Sequence, residues 1–390
     1  MRIHDAVSGV QSATEMFINA VNMQASDSGC LPRVLSYAPV ASMNPFQRLL
    51  YCRASECGYA IVPTPKFIDL GNVNWGEGSV IHLHWLAPIL RSVINKADAQ
   101  TQIKEFRRNL TRWKMAGHKI VWTMHNVLPH DTKFPEEEIE IRKTIAQYAD
   151  AVHILSKDSV EKSASLFEIP MAKVFHVPHP SYEGWYANVA ASTSARLDLG
   201  IGAGEFVFLQ FGSLQPYKGT LALIEAFKKL ELLRPDRKLR LIIAGKPVDK
   251  TYLLEINSIA DKSLNITVIP NAMEEREVQT LFNASNVVVA PYITTLNSGV
   301  ALLAATFEKA IVAPKIGGIL ETYSDDDTLL YSNSDGDTLV DALLRAMDYR
   351  MAKSVFSKIL QSHKPEYISL QFFNAITQNL FGDNREHNKY

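Results

Sequence analysis

From residue 32 onward the chain alternates short, continuous apolar runs with amphipathic stretches, and it does so twice. The first apolar runs are Pro32–Val40, Tyr59–Pro63, Val80–Leu86, Lys119–Met124, Ala151–Leu155 and Lys173–Val177, with helical spacing near 45–57, 98–117, 135–148 and 158–167. The second set is Glu205–Phe211, Leu239–Ala244, Ile266–Ile269, Asn286–Pro291 and Ala310–Pro314, with helices near 218–232, 250–260, 274–284, 298–308 and 336–349. A run with no polar alternation needs cover on both faces, and a helix between successive runs supplies it. Each set therefore predicts an α/β domain with a Rossmann-like parallel sheet. Between the sets, residues 179–204 are rich in Gly, Ser and Ala without periodicity, which marks a connection. The expected layout is an extension over 1–30, one domain over 31–182, a second over 183–364, and a terminal segment, 365–390. Within that last segment Ile368, Phe372, Ile376 and Leu380 recur at helical spacing.

Composition narrows the partners. A length of 390 residues exceeds one compact core, which agrees with two domains. A formal charge of −1 favours neither nucleic acid nor a membrane surface for the chain as a whole. Cys30, Cys52 and Cys57 have no second cysteine cluster, so a zinc site is not expected and reduced cytoplasmic thiols are. No stretch approaches the roughly 18 apolar residues of a spanning helix, and the N-terminus lacks a basic-then-apolar leader pattern. The expected location is the cytoplasm.

Open parallel sheets bind ligands beyond the carboxyl ends of their strands, and two such domains facing each other enclose a cleft. The residues after the strands are therefore the informative ones. The run ending at Phe211 leads through Gly212, Ser213, Leu214, Gln215, Pro216 and Tyr217 to Lys218 and Gly219, where a helix is expected to start. Small residues admit a close ligand, free helix amides attract an anion, and Lys218 adds a full charge. That combination suits a diphosphate, although a plain strand-to-helix turn would look the same. After the run ending at Pro291, Ser298 and Gly299 again sit at a helix start, with an ordinary N-cap as the competing reading. Gly317, Gly318 and Glu321 form a third element, in which the carboxylate either accepts from ribose hydroxyls or faces solvent.

These residues resemble the GT-B glycosyltransferases, particularly family 4 (group 1). Gly212 to Gly219 is similar to that family's phosphate loop, and 269–292 to the stretch running from its base-binding loop to the next strand. Ser298-Gly299 with Gly317-Gly318 and Glu321 matches a bacterial Ser-Gly subgroup. The resemblance implies a hexose moved from a UDP- or GDP-linked sugar, as co-substrate and without a cofactor, to a glycan or lipid-linked acceptor in bacterial surface polysaccharide assembly. It implies donor contacts from Gly212, Ser213, Gly219, Lys246, Asn271, Ser298, Gly299 and Glu321, with Lys218 on the diphosphate. It also implies that the terminal helix crosses back to the first domain. Two features depart from the family. Ser213 and Gln215 stand where an arginine is common, and Thr295 and Leu303 stand where a glutamate pair is common. A catalytically silent relative that scaffolds a partner transferase is the alternative these departures keep open.

In the first half, Val80–Leu86 carries His82, His84 and Trp85, and alternation puts the two histidines on one face with Trp85 opposite. His125 and Asn126 fall just past Lys119–Met124, with His130 and Asp131 close behind. His125 resembles the family histidine beside the donor sugar and is expected to be essential, whether as a base or as a sugar ligand. His84, Trp85, Asn126, His130 and Asp131 are the expected acceptor residues. No metal is expected, since Asp325-Asp326-Asp327 lies in a turn beyond the donor runs and reads as solvated. The helix near 98–117 carries Lys104, Arg107, Arg108, Arg112 and Lys114 against Asp98 and Glu105. Its basic face is a candidate for peripheral contact at the inner membrane surface, or simply a solvated face.

Overall fold

The computed structural model describes residues 18–19, 21–22, 31–41, 44–72, 78–129 and 132–382. His130 and Asp131 lie outside the described residues. Two compact units divide the described residues: Ser181–Lys364 forms one, and the described residues up to Pro180 join those from Pro365 to Gly382 to form the other.

The unit built around the first half contains β1 (Arg33–Ala38), α1 (Phe46–Leu50), β2 (Tyr59–Pro63), β3 (Ser79–Leu83), α2 (Lys96–Met115), β4 (Lys119–Met124), α3 (Pro135–Tyr148), β5 (Ala151–Ile154), α4 (Ser159–Ser163) and β6 (Val174–His176). Its six strands are parallel, in the order β2-β1-β3-β4-β5-β6. The order reverses between β1 and β3, so the ends of those strands open a ligand position. α2 shows why these stretches are helical. Ala99, Ile103, Phe106, Leu110 and Trp113 recur at three- and four-residue intervals and are buried, and the Asn95 side chain caps the first turn by accepting from the Asp98 amide. Gly117, at φ 85°, follows the last turn.

The other unit runs α5 (Ser192–Asp198), β7 (Phe206–Phe211), α6 (Thr220–Leu233), β8 (Leu239–Ala244), α7 (Lys250–Ala260), β9 (Ile266–Ile269), α8 (Glu275–Ala284), β10 (Val287–Val289), α9 (Gly299–Thr306), β11 (Ala310–Pro314), α10 (Gly317–Thr322), β12 (Leu330–Tyr331), α11 (Leu339–Asp348) and α12 (Lys353–Ser362). Its sheet is also parallel, ordered β12-β11-β10-β7-β8-β9. Here the reversal falls between β7 and β10.

The last helix, α13 (Pro365–Phe381), belongs to the unit of β1–β6. It buries Ile368, Phe372, Phe373, Ile376 and Leu380 in the same core as Leu35, Tyr51, Val80 and Val121. Phe373 lies 4.9 Å from Tyr59, Phe372 stacks on His82 at 5.2 Å, and Ser369 accepts from the Arg53 amide at 3.0 Å.

Several elements differ from the sequence expectation. Residues 179–204, read as a connection, contain α5, and Gln279 of α8 accepts from the Val189 and Ala190 amides at 2.9 and 3.1 Å. Such stitching comes from partners 90 residues away and leaves no periodic trace. α10, β12 and α12 were not expected at all; the first two span only six and two residues. The acidic turn faces solvent as expected, and it is also bridged. Asp325 pairs with Lys358 at 3.2 Å, Asp327 with Lys315 at 2.9 Å, and Asp326 accepts from the Tyr349 hydroxyl. The basic face of α2 is likewise met by acids from later in the chain: Lys96–Glu136 at 2.9 Å, Arg107–Glu140 at 3.6 Å and Lys114–Asp150 at 2.5 Å.

Candidate functional site

Glycine geometry builds the loop after β7. Gly212 has φ 107°, and its amide donates to the Ala244 carbonyl at 3.0 Å. A Cβ on Gly245 would stand 1.8 Å from the Gly212 oxygen, so the turns after β7 and β8 approach as only glycine permits. The expected helix start at 218 is not observed. Pro216–Lys218 is one 3₁₀ turn, Gly219 at φ 69° reverses the chain, and α6 begins at Thr220. A Cβ on Gly219 would sit 2.0 Å from the Pro291 carbonyl oxygen. The Ile293 amide donates to the Tyr217 carbonyl at 2.8 Å, so this loop and the one after β10 are bonded together.

That arrangement delivers Lys218 to the β7/β10 reversal. Its Nζ lies 5.6 Å from the centre of the Tyr292 ring and 3.0 Å from the position a Gly212 Cβ would take. The same position is 3.7 Å from Val300 Cγ2 on the first turn of α9. Ser298 Oγ donates toward the Tyr292 hydroxyl at 3.5 Å. Lys218, Gly212, Tyr292 and the start of α9 thus meet at one point. Lys218 is half-buried, and desolvation lowers the pKa of its ammonium, with only Tyr217 opposing. Among the described residues no carboxylate forms an ion pair with it. A desolvated cation at a helix start is a site for an anion.

The other expected donor residues are placed unevenly. Ser298 is buried, and its Oγ accepts from the Ala301 amide at 3.2 Å, so it is an ordinary N-cap. What α9 offers are its first-turn amides, at Gly299 and Val300, which have no intrahelical acceptor. Ser213 and Lys246 are exposed, and the Lys246 carbonyl accepts from the Leu214 amide at 2.8 Å. Asn271 is exposed just after β9, and Glu321 is half-buried on α10. Gly317 and Gly318 let α10 approach the loop 295–297, since the Gly318 amide donates to the Leu296 carbonyl at 2.8 Å. Where the resembled family places glutamates, Leu303 is buried, and the Thr295 hydroxyl donates to the Asn297 carbonyl at 2.5 Å. Gly245 and Tyr292 were missed. A glycine straight after β8 was the available signal for the first, whereas nothing local marks the ring that faces Lys218.

The histidines gather in the other unit at the ends of β3 and β4. His84 Nδ1 is 3.1 Å from His125 Nε2, and His84 Nε2 is 2.7 Å from the Tyr51 hydroxyl. That hydroxyl is also 2.7 Å from His82 Nδ1, whose Nε2 is 2.6 Å from Thr123 Oγ1. Thr123 Oγ1 continues to His153 Nδ1 at 2.9 Å, and His153 Nε2 donates to the Val177 carbonyl at 2.8 Å. The indole of Trp85 stacks on His125 at 4.1 Å, and Phe46 meets the same ring edge-on at 4.9 Å. Burial holds His82, His84 and His125 well below the usual imidazole range, and neighbouring histidines add to it. Burial likewise pushes His153 down to about 3.

Two expectations change here. His84 is 1% exposed with both ring nitrogens engaged, so it has no atom left for an acceptor and instead supports His125. Trp85 does not lie opposite the histidines. β3 ends at Leu83, alternation stops there, and the indole turns onto His125. Asn126 is half-buried beside them. Among the described residues no group of three or more His, Cys, Asp or Glu side chains could hold a metal ion, and no helix is long and apolar enough to cross a membrane.

The family described as Glycosyl transferases group 1 matches residues 205–348, the stretch that carries Lys218, Ser298 and Glu321. Those residues are similar to a group 1 glycosyltransferase domain. The chain is 25% identical over 280 residues to the GDP-mannose:glycolipid 4-beta-D-mannosyltransferase of Xanthomonas campestris pv. campestris, covering 71% of each chain. It is 33% identical over 132 residues to the D-inositol 3-phosphate glycosyltransferase of Pseudarthrobacter chlorophenolicus, covering 33% of this chain and 31% of that one. The fold is GT-B. It is similar to sucrose-phosphate synthase from Thermosynechococcus elongatus, with a TM-score of 0.65 at 15% identity over 90% of this chain and 100% of that one. It is also similar to Anabaena HepE in complex with UDP and glucose, with a TM-score of 0.63 at 13% identity over 89% and 100%.

Proposed function

We propose that this glycosyltransferase moves a hexose from a nucleoside diphosphate sugar onto a lipid-linked saccharide, without a metal ion, with GDP-mannose as the first donor to test. The observation that carries this reading is the desolvated Lys218 ammonium, which has no carboxylate partner among the described residues and sits at the start of α9. A departing diphosphate gains charge as the glycosidic bond breaks, and a fixed cation with helix amides stabilises that charge. The relative from Xanthomonas favours a guanosine donor and a glycolipid acceptor, and assembly of a bacterial surface glycan is the setting proposed. The exposed Lys104 of α2 leaves part of a basic face for anionic lipid at the inner membrane surface.

Thermal unfolding with added nucleotides tests the donor. At about 100 times the dissociation constant, GDP-mannose should raise stability by about 2.7 kcal/mol, which for a unit of this size shifts the midpoint by roughly 5–10 °C. UDP-glucose should shift it less. Equal silence toward GDP-, UDP- and ADP-sugars, with no transfer to a lipid-linked glycan, would make the chain a silent relative. His125→Ala should lower turnover by about 10²- to 10⁴-fold while leaving the donor-induced shift intact. Near-normal turnover in that variant would remove His125 from the reaction. Addition of a chelator should leave the rate unchanged.

A further inference from the structure

We propose that Gln210 is a positioning residue for Lys218: its buried side-chain amide holds the Lys218 carbonyl, and through it the direction in which the ammonium points. The consequence for turnover rests on the transferase reading above; the tie itself does not.

Gln210 is the one polar residue in β7 and is 2% exposed. By alternation it shares a strand face with Phe208, which meets Phe227 of α6 edge-on at 6.0 Å. Its Nε2 donates to the Lys218 carbonyl at 3.1 Å. A carbonyl only accepts, so the nitrogen end of the amide must face it. The turn that carries Lys218 is tied at four successive carbonyls. Pro216 accepts from the Gly219 amide at 3.1 Å, Tyr217 from the Ile293 amide at 2.8 Å, and Gly219 from the Leu223 amide at 2.9 Å. The Lys218 carbonyl lies one residue before the first bond of α6, and among the described residues Gln210 is its only donor. Three of the four ties are made by backbone. The fourth is made by a side chain, and it falls on the residue that carries the cation.

The other end of the amide shows what the glutamine is for. Gln210 Oε1 is buried and, among the described residues, has no hydrogen-bond partner. An unpaired buried polar atom lowers stability, so an apolar side chain of the same length would serve the fold of β7 at least as well. What it would lose is the hold on Lys218. Lys218 is half-buried, so its carbonyl, once released, can turn to solvent. Rotation of that peptide changes the backbone angles of Lys218 and of Gly219, and the ammonium moves with them. A displacement of ~1 Å at a reacting centre lowers a rate by on the order of 10²-fold.

Gln210→Met keeps the length and removes the donor. Turnover should fall by about 10- to 10²-fold. KM for the donor should stay within about twofold, because the cation acts chiefly on charge that develops as the bond breaks, and the thermal midpoint should not fall. In the Lys218→Met background the same substitution should lower turnover by less than about twofold more, since no cation is left to misplace. Effects that simply multiply would make Gln210 a structural residue and overturn the proposal. Gln210→Glu offers a donor only while its carboxyl is protonated, so its turnover relative to wild type should fall as pH rises. Reduced turnover that does not depend on pH overturns the proposal, and this variant decides the matter if Gln210→Met does not fold. A measurement without substrate separates the tie from the reaction. The Lys218 and Gly219 amides donate to the Gln215 and Pro216 carbonyls at 2.9 and 3.1 Å. Their hydrogen exchange should quicken at least ~10-fold in Gln210→Met. Unchanged exchange defeats the tie. Quickened exchange with no transfer by any form of the protein would reject the transferase reading and leave the tie standing.

Discussion

Replacing Lys218 with methionine is expected to lower turnover by about 10²- to 10³-fold, on the order of 2.7–4 kcal/mol of transition-state stabilisation, without lowering the stability of the protein. Most buried-site substitutions damage both. Here the two separate because the ammonium is desolvated and, among the described residues, no carboxylate offsets that cost. A methionine of similar length keeps contact with the Tyr292 ring and removes the cost. The pH dependence has a definite sign. The folded-state pKa of Lys218 is lowered, so between that value and the ordinary 10.5 the unfolded chain binds the extra proton. This group therefore makes stability rise with pH across that window. Urea unfolding at several alkaline pH values should show that rise in the wild type and a smaller one in Lys218→Met. Near-normal turnover in the variant would remove the cation from the mechanism.

Phe372→Ala should cost about 3–5 kcal/mol, the range for deleting a buried aromatic ring. Phe372 is 0% exposed and lies 5.2 Å from His82, 5.2 Å from His153, 6.0 Å from Phe175 and 5.3 Å from Phe373. The loss should be confined to one unit. A protein of two compact units need not melt in one step, so calorimetry should show the transition of the unit holding β1–β6 moving down while that of Ser181–Lys364 stays. The nucleotide-induced shift, which belongs to the second unit, should survive; its disappearance would mean that the two units do not respond independently.

Much of this was legible in the residues. Ten of the eleven apolar runs set the strands to within a residue or two, because a buried parallel strand leaves a continuous signature that a neighbour cannot erase. Lys218 and the glycines beside it could be read because close approach and positive φ admit few other residues. The hidden features were those made by distance. Tyr51 meets His82 and His84 from 31 and 33 positions away, and Thr123 meets His82 from 41. No spacing rule relates such residues, so His84 read as a substrate ligand when it is a buried support. Ser298 was ambiguous for a different reason: a serine that caps a helix and one that holds a phosphate occupy the same position.

The placement of α13 has a consequence for how the molecule is made. Domains usually fold in the order in which they leave the ribosome, but the unit holding β1–β6 is unfinished until α13 has emerged, long after its own strands. Ser181–Lys364 is continuous and can close first. For the length of that delay, about 184 residues of synthesis at 5–20 residues per second, the apolar bed that awaits Phe372 and Phe373 stays uncovered. That interval is when nascent chains are most open to chaperone capture or aggregation.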